Sequence, residues 1–142
     1  MIEDVIARLQ AEIAELDHRV EGAGAFAEMM RAKRLPQHTP AAHVLPLGIA
    51  GRAADSSAGA FTQMLEETVG IILTIRDQGA MARRVLGDLR GFIFRIIEAI
   101  AGWGPTDSVG VFRFARGTLV SSSAGTFVYQ MDFTIADQLR IF

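Results

Sequence analysis

The chain of 142 residues contains no cysteine. That excludes a disulfide framework, a thiolate nucleophile and any cysteine-ligated metal, while saying little about compartment. A strong charge of either sign is also missing: 14 basic against 16 acidic residues leave a net charge of −2. Domains that bind nucleic acid wholesale are usually strongly basic, so that class is disfavoured. Uninterrupted apolar runs are lacking too. The most apolar stretch, 81–103, holds Arg83, Arg84, Asp88, Arg90, Arg95 and Glu98, too many charges for a membrane span. The start, Met1-Ile2-Glu3-Asp4, is acidic and has neither the basic head nor the apolar run of a signal peptide. The expectation is a soluble protein that stays in the cytoplasm where it is made.

Signatures of chemistry are equally scarce. No phosphate-binding G-x-x-x-x-G-K-[ST] loop and no G-x-S-x-G nucleophile elbow occurs. His18, His38 and His43 are the only histidines; none has the i,i+4 spacing of a zinc protease, so they read as surface or loop residues. Glu66 and Glu67 are adjacent, so on a strand they point to opposite faces and cannot act as a carboxylate pair. Gly22-Ala23-Gly24-Ala25-Phe26-Ala27 matches G-x-G-x-x-A, but a dinucleotide site also needs a preceding strand and an acid about 20 residues later. Positions 41–47 supply no acid, so the segment reads as a turn into a helix. Arg113 and Arg116 alternate with Phe112 and Phe114, a pattern that can stack single-stranded nucleic acid. Two phenylalanines on one strand face more often belong to a core. The expectation is therefore no catalytic residue, no cofactor and no metal.

What is present is a chain of one-domain length, half of it hydrophobic. That share fits either apolar surface buried against another subunit or an ordinary alanine-rich composition. Apolar spacing predicts a helix over 2–17 from Ile2, Val5, Ile6, Leu9, Ile13 and Leu16, with Glu3 and Asp4 suited to its first turn. Residues 18–22 read as a short strand or connector. A second helix over 24–34 ends in Arg31, Lys33 and Arg34 before Pro36. Its basic end could meet phosphate or an acidic partner, or simply complement the helix dipole.

Residues 41–49 read as an edge or outer strand, because Pro46 removes a ladder donor. The small residues from Gly48 to Ala60 read as a flexible loop, expected to be mobile and to face a partner. A central strand follows over 65–76, with Leu65, Val69, Ile71, Leu73 and Ile75 on one face and Thr68, Ile72 and Thr74 on the other. The 80–101 segment predicts one long helix, with Asp77 or Gln78 as its cap and Arg84–Asp88 as an i,i+4 pair. Phe94 breaks that helix's charged face; it wants either a partner surface or a second core layer. Strands over 111–120 and 126–136 flank a turn at 121–125, with a bulge expected at Gly117. The whole reads as an α+β single domain: an antiparallel or mixed sheet of about four strands against a long helix and an N-terminal helix.

The order of these motifs resembles a known family. Pro40-Ala41-Ala42 leads into the first strand, and Glu67-Thr68-Val69-Gly70-Ile71 and a helix with Leu89-Arg90 follow. That helix exits through Gly102-Trp103-Gly104-Pro105, and Phe112, Phe114, Gly117 and Leu119 come next. Over roughly 1–140 the chain resembles the tail terminator proteins of long-tailed bacteriophages, especially the Mu-like type. The helix exit and the Phe-x-Phe strand are the most specific pieces. The resemblance implies a virion protein that forms a ring, usually of six subunits. That ring caps the head-proximal end of the tail tube, stops its polymerisation, presents a face to the head connector and lets DNA pass through its lumen. Such a family has no catalytic residues to carry over. Phe94, Arg52 and Asp55 stand as candidates for the subunit or tube interface. Two other readings remain open: another ring protein of the phage neck, for tail completion or head–tail connection, and a small nucleotide-binding domain built on Gly22–Ala27.

Overall fold

The computed structural model describes residues 1–56, 59–106 and 110–141. The order is α1 (Ile2–Glu12), β1 (Val20–Glu21), α2 (Ala23–Ala32), β2 (Ala41–Asp55), β3 (Phe61–Arg76), α3 (Ala80–Gly87), α4 (Leu89–Ile100), β4 (Arg113–Ser123) and β5 (Thr126–Ile141). The strands form a mixed sheet in the order β1-β2-β3-β5-β4, with β1 parallel to β2 and every other pair antiparallel. The α+β class stands, with a two-residue fifth strand where the sequence left a strand or connector open.

Alternation in β3 and β5 builds the core. Val69, Ile71, Leu73 and Ile75 face Phe133, Met131, Tyr129 and Phe127 across the ladder. Their common face is covered by Val5 and Leu9 of α1, Ala82 and Val85 of α3, and Phe92, Ile96 and Ile100 of α4. Phe112, fully buried, closes the layer beside Phe133, and Trp103 stacks on it at a ring distance of 6.0 Å. The helix exit is tied down by Gly102 N–H to Phe112 O and Phe112 N–H to Trp103 O, each 2.8 Å. On the opposite sheet face, α2 packs over β2 through Phe26 and His43, whose rings meet edge to face at 5.4 Å. Ile72 and Thr74 are thus buried despite pointing away from the main core.

Several local readings are corrected. The first helix stops at Glu12, not 17. Ile13 turns extended, Ala14–Leu16 forms a 3₁₀ turn, and Asp17 and His18 take positive φ. Ile13 and Leu16 reach the core all the same, so the apolar spacing carries no trace of the break. The long helix is two helices, because Asp88 leaves helical geometry at φ −136°, ψ 63°. Its carboxylate caps α4 by accepting from Gly91 N–H at 3.1 Å, rather than pairing with Arg84. A Cβ at position 91 would come within 2.2 Å of that carboxylate, so the sequence Asp88-Leu89-Arg90-Gly91 is built for the cap. Gly79, at φ 85°, occupies the N-cap of α3 in place of Asp77 or Gln78.

The largest correction concerns the segment read as a flexible loop. Gly48 to Asp55 continues β2, paired with β3 from Thr68 back to Thr62, and β3 begins at Phe61. Ser57 and Ala58 of that reading lie outside the described residues. Glycine and alanine carry no alternation signal, and here pairing to β3 overrides their poor strand propensity. The last hairpin is also longer than expected. Its turn is only Ala124-Gly125, at φ 53° and 73°, both positive as a two-residue hairpin turn requires. Register shifts in β4 fall at Ala115 and Val120, while Gly117 stays in register opposite Met131. Its missing side chain makes room for Tyr129, whose hydroxyl would lie 2.6 Å from a Cβ there. Pro46 lies beyond the short β1, where β2 is the sheet edge, as its missing donor demands.

Candidate assembly surfaces

Of the residues that sequence reasoning weighed for chemistry, His38 and His43 line one cleft and Arg113 pairs with Glu66. Among the described residues no group of three or more His, Asp and Glu side chains could hold a metal. His43 is buried rather than on the surface; Phe26 covers it, and its Nδ1 has no hydrogen-bond partner among the described residues. Burial pushes its pKa below the ordinary value, partly opposed by the carboxylate of Glu21. His38 and His43 share a cleft of about 290 Å³ with Arg19, Glu21 and Met29. Gly22 is the N-cap of α2 after a strand of two residues, so the glycine motif is a helix entry. At the basic end of α2, Arg31 pairs with Glu28, and the backbone N–H groups of Lys33 and Arg34 close the helix on Met30 O and Met29 O. No helix among the described residues is long and apolar enough to cross a membrane.

Arg113 and Arg116 sit on the sheet face opposite the core and are held by acids. Arg113 reaches Glu66 at 3.4 Å and Arg116 reaches Asp132 at 3.6 Å. Phe112 is core, as expected, but Phe114 is 38% exposed while touching Phe133 edge-on. Glu66 also accepts from Arg52 at 3.0 Å, so one carboxylate joins β2, β3 and β4. Glu67 points to the other face, as strand alternation requires.

The three interface candidates fall in two regions. Arg52 and Asp55 lie on β2 where it runs past the helices, Asp55 opposite Thr62 near the hairpin tip. There β2, β3 and the end of β5 (Asp137–Ile141) make a three-stranded arm. The outermost core residues on its inner face are Val69 and Ile135. Further out, from Glu67 to Phe61, β3 continues for about 20 Å at ~3.4 Å per residue. At its inner end Ile49 of β2, opposite Glu67, is 68% exposed; at its outer end Ile141 of β5, opposite Phe61, is 55% exposed, with Leu139 two residues before it.

Phe94 lies on α4, 43% exposed, with the Arg90 guanidinium 4.3 Å from its ring centre. It borders a groove of about 460 Å³ that also takes in Arg84, Asp88, Arg95 and Glu98. Glu15 closes one side through a two-pronged ion pair to Arg95, which holds its carboxyl below the usual range. Phe94 is therefore no second core layer within this chain. The arm as a surface escaped sequence reasoning. Its one signal was alternation at Leu139 and Ile141 beyond the expected strand end at 136.

No curated protein matches the chain in sequence. Among solved structures, a chain from the virion of a native gene transfer agent particle shares the fold at a TM-score of 0.52. Identity is 13%, over 95% of this chain and 92% of that one. A family model described as phage tail terminator protein matches residues 1–141. The chain belongs to the phage tail terminator family, and it is a structural, non-enzymatic protein of the virion tail.

Proposed function

We propose that this protein caps the tail tube. Several copies close into a ring, six in number, which seats on the head-proximal end of the finished tube. The ring ends polymerisation, presents its other side to the head connector and leaves a lumen for DNA. The observation that carries this reading is the family match over 1–141. The distribution of apolar surface supports it. A tube grows because each ring exposes a surface that recruits the next. A terminator must match that surface on one side and fail to reproduce it on the other. The arm and the α3–α4 groove give one small domain two unlike surfaces, as heterologous ring contacts require. Arg52, Asp55 and Phe94 are the residues we assign to those contacts. Affinity for the tube is shared among the copies, so a single subunit binds weakly and the ring tightly.

Six subunits of 15.4 kDa give a ring of about 92 kDa. Deleting the gene should give overlong or headless tails while heads still fill with DNA. Tails of normal length joined normally to heads in the deletion strain would refute the reading.

A further inference from the structure

We propose that the arm of one subunit lies along the α3–α4 groove of the next, and that this contact is what closes the ring. The proposal rests on the ring reading above and adds its geometry. On the arm's inner face, Ile49, Leu139 and Ile141 are bare. The same face carries two acids, Glu67 opposite Ile135 and Asp137 opposite Leu65. Neither has an ion-pair partner among the described residues. Asp137 only accepts from the neighbouring Gln138 N–H at 2.8 Å.

The groove has the complementary character. Phe94 and Met81 are exposed beside it. Arg84 and Arg90 make no close ion pair among the described residues: Arg84 reaches the Met81 sulfur at 3.1 Å and acts on the Glu15 carboxylate only through its charge, and Arg90 covers the Phe94 ring. The groove's own acids are engaged where they could compete, Asp88 as the α4 cap and Glu15 with Arg95. Glu98 lies two turns along α4 from Arg90, about 12 Å at ~1.5 Å per residue. A face that carries bare apolar side chains and two acids without ion-pair partners thus meets a groove with an exposed phenylalanine and nearby arginines. Complementary charge of this kind fixes register and rejects wrong partners. Each subunit has one arm and one groove, so the contact repeats around a closed ring and leaves neither bare.

The absence of cysteine gives a clean test. Leu139→Cys places a thiol on the arm two residues from Asp137. Gly87→Cys places one a turn from Arg84, where an added Cβ meets open space. Tails carrying the double variant, treated with a short bismaleimide, should give a ladder of covalently joined copies of this chain. Neither single variant should. No ladder, although native mass of the wild-type protein shows a ring, overturns the contact and leaves the ring standing. Leu139→Cys joined instead to a tube or connector chain does the same. A single-chain native mass for protein released from tails overturns the ring and this contact with it. In an independent arm, Glu67→Arg with Asp137→Arg should weaken assembly roughly tenfold or more, and Arg84→Glu with Arg90→Glu should restore it. Assembly unmoved by the first pair, or lost and not rescued by the second, counts against the contact.

Discussion

The two ends of β3 obey one alternation and have opposite fates. From Val69 to Ile75 the inward-facing side chains are at most 2% exposed beneath three helices. From Glu67 out to Phe61 no side chain on the same face is fully buried, and its neighbour Ile49 on β2 is 68% exposed. Strand alternation states that a face is apolar; it does not state what covers it. In the body the cover is the chain's own helices. On the arm Ile49, Leu139 and Ile141 are left exposed, and in our proposal the cover is a second copy of the chain.

The comparison breaks first, and hardest, in the body. Phe133 is fully buried between the helices and Phe114. Phe133→Ala should cost about 3–5 kcal/mol through lost transfer energy and the cavity left behind. That is a large part of a domain's usual stability. The midpoint of urea unfolding, with an unchanged slope, is the measurement. A loss below about 1 kcal/mol would mean that the body is no better packed than the arm.

A smaller effect belongs to the joint between α3 and α4. Asp88→Ala removes the carboxylate that receives Gly91 N–H, and should cost about 1 kcal/mol, within the range of 0.5–2 for N-caps. Thermal unfolding of the two proteins side by side checks it. If the 80–100 segment were one continuous helix, alanine would be neutral or stabilising there.

Most of the body was legible in the sequence, for a reason visible at particular residues. Val69, Ile71, Leu73 and Ile75, like Phe92, Ile96 and Ile100, are large and apolar at the period of their element, so covering them is the dominant energy. The breaks were not legible. Ile13 keeps its place in the apolar pattern after leaving the helix, and Asp88 looked like a partner for Arg84 until its backbone was known. The arm was least legible. Gly48, Ala50, Gly51, Ala53 and Ala54 say nothing about faces, and their strand is held by backbone bonds to β3. For the surfaces, Phe94 broke the pattern of its own helix and could be named in advance. Glu67, Asp137 and Leu139 follow their strand's rule faithfully, and only their place beyond the last core residues, Val69 and Ile135, sets them apart.

Acid should distinguish the two sheet faces of the body. His43 lies under α2, and its pKa is lowered by burial. The unfolded chain therefore takes up a proton at a higher pH than the folded one, so stability falls as pH drops below about 6.5, down to the folded pKa. His43→Leu removes the group, and its unfolding free energy should be flatter across that window than the wild type's. Equal slopes in both proteins would mean that His43 is as accessible folded as unfolded.

The smallest effect on folding is expected on the arm, and it is the one that sharpens the contrast. Leu139 and Ile141 end β5 past the last core residue, Ile135. Each is paired through its backbone with β3, opposite Gln63 and Phe61, and those bonds do not depend on side chains. Replacing both by serine should therefore leave the subunit's unfolding free energy within about 0.5 kcal/mol, as for surface positions in general. The same change removes two apolar side chains from the surface we assign to the neighbouring subunit, so the ring should form poorly or not at all. Unfolding curves on dilute subunit and native mass at high concentration separate the two quantities. A double variant that unfolds as easily as Phe133→Ala would make the arm part of the folding core. One that keeps both its fold and its ring would leave the bare strip without a role in assembly.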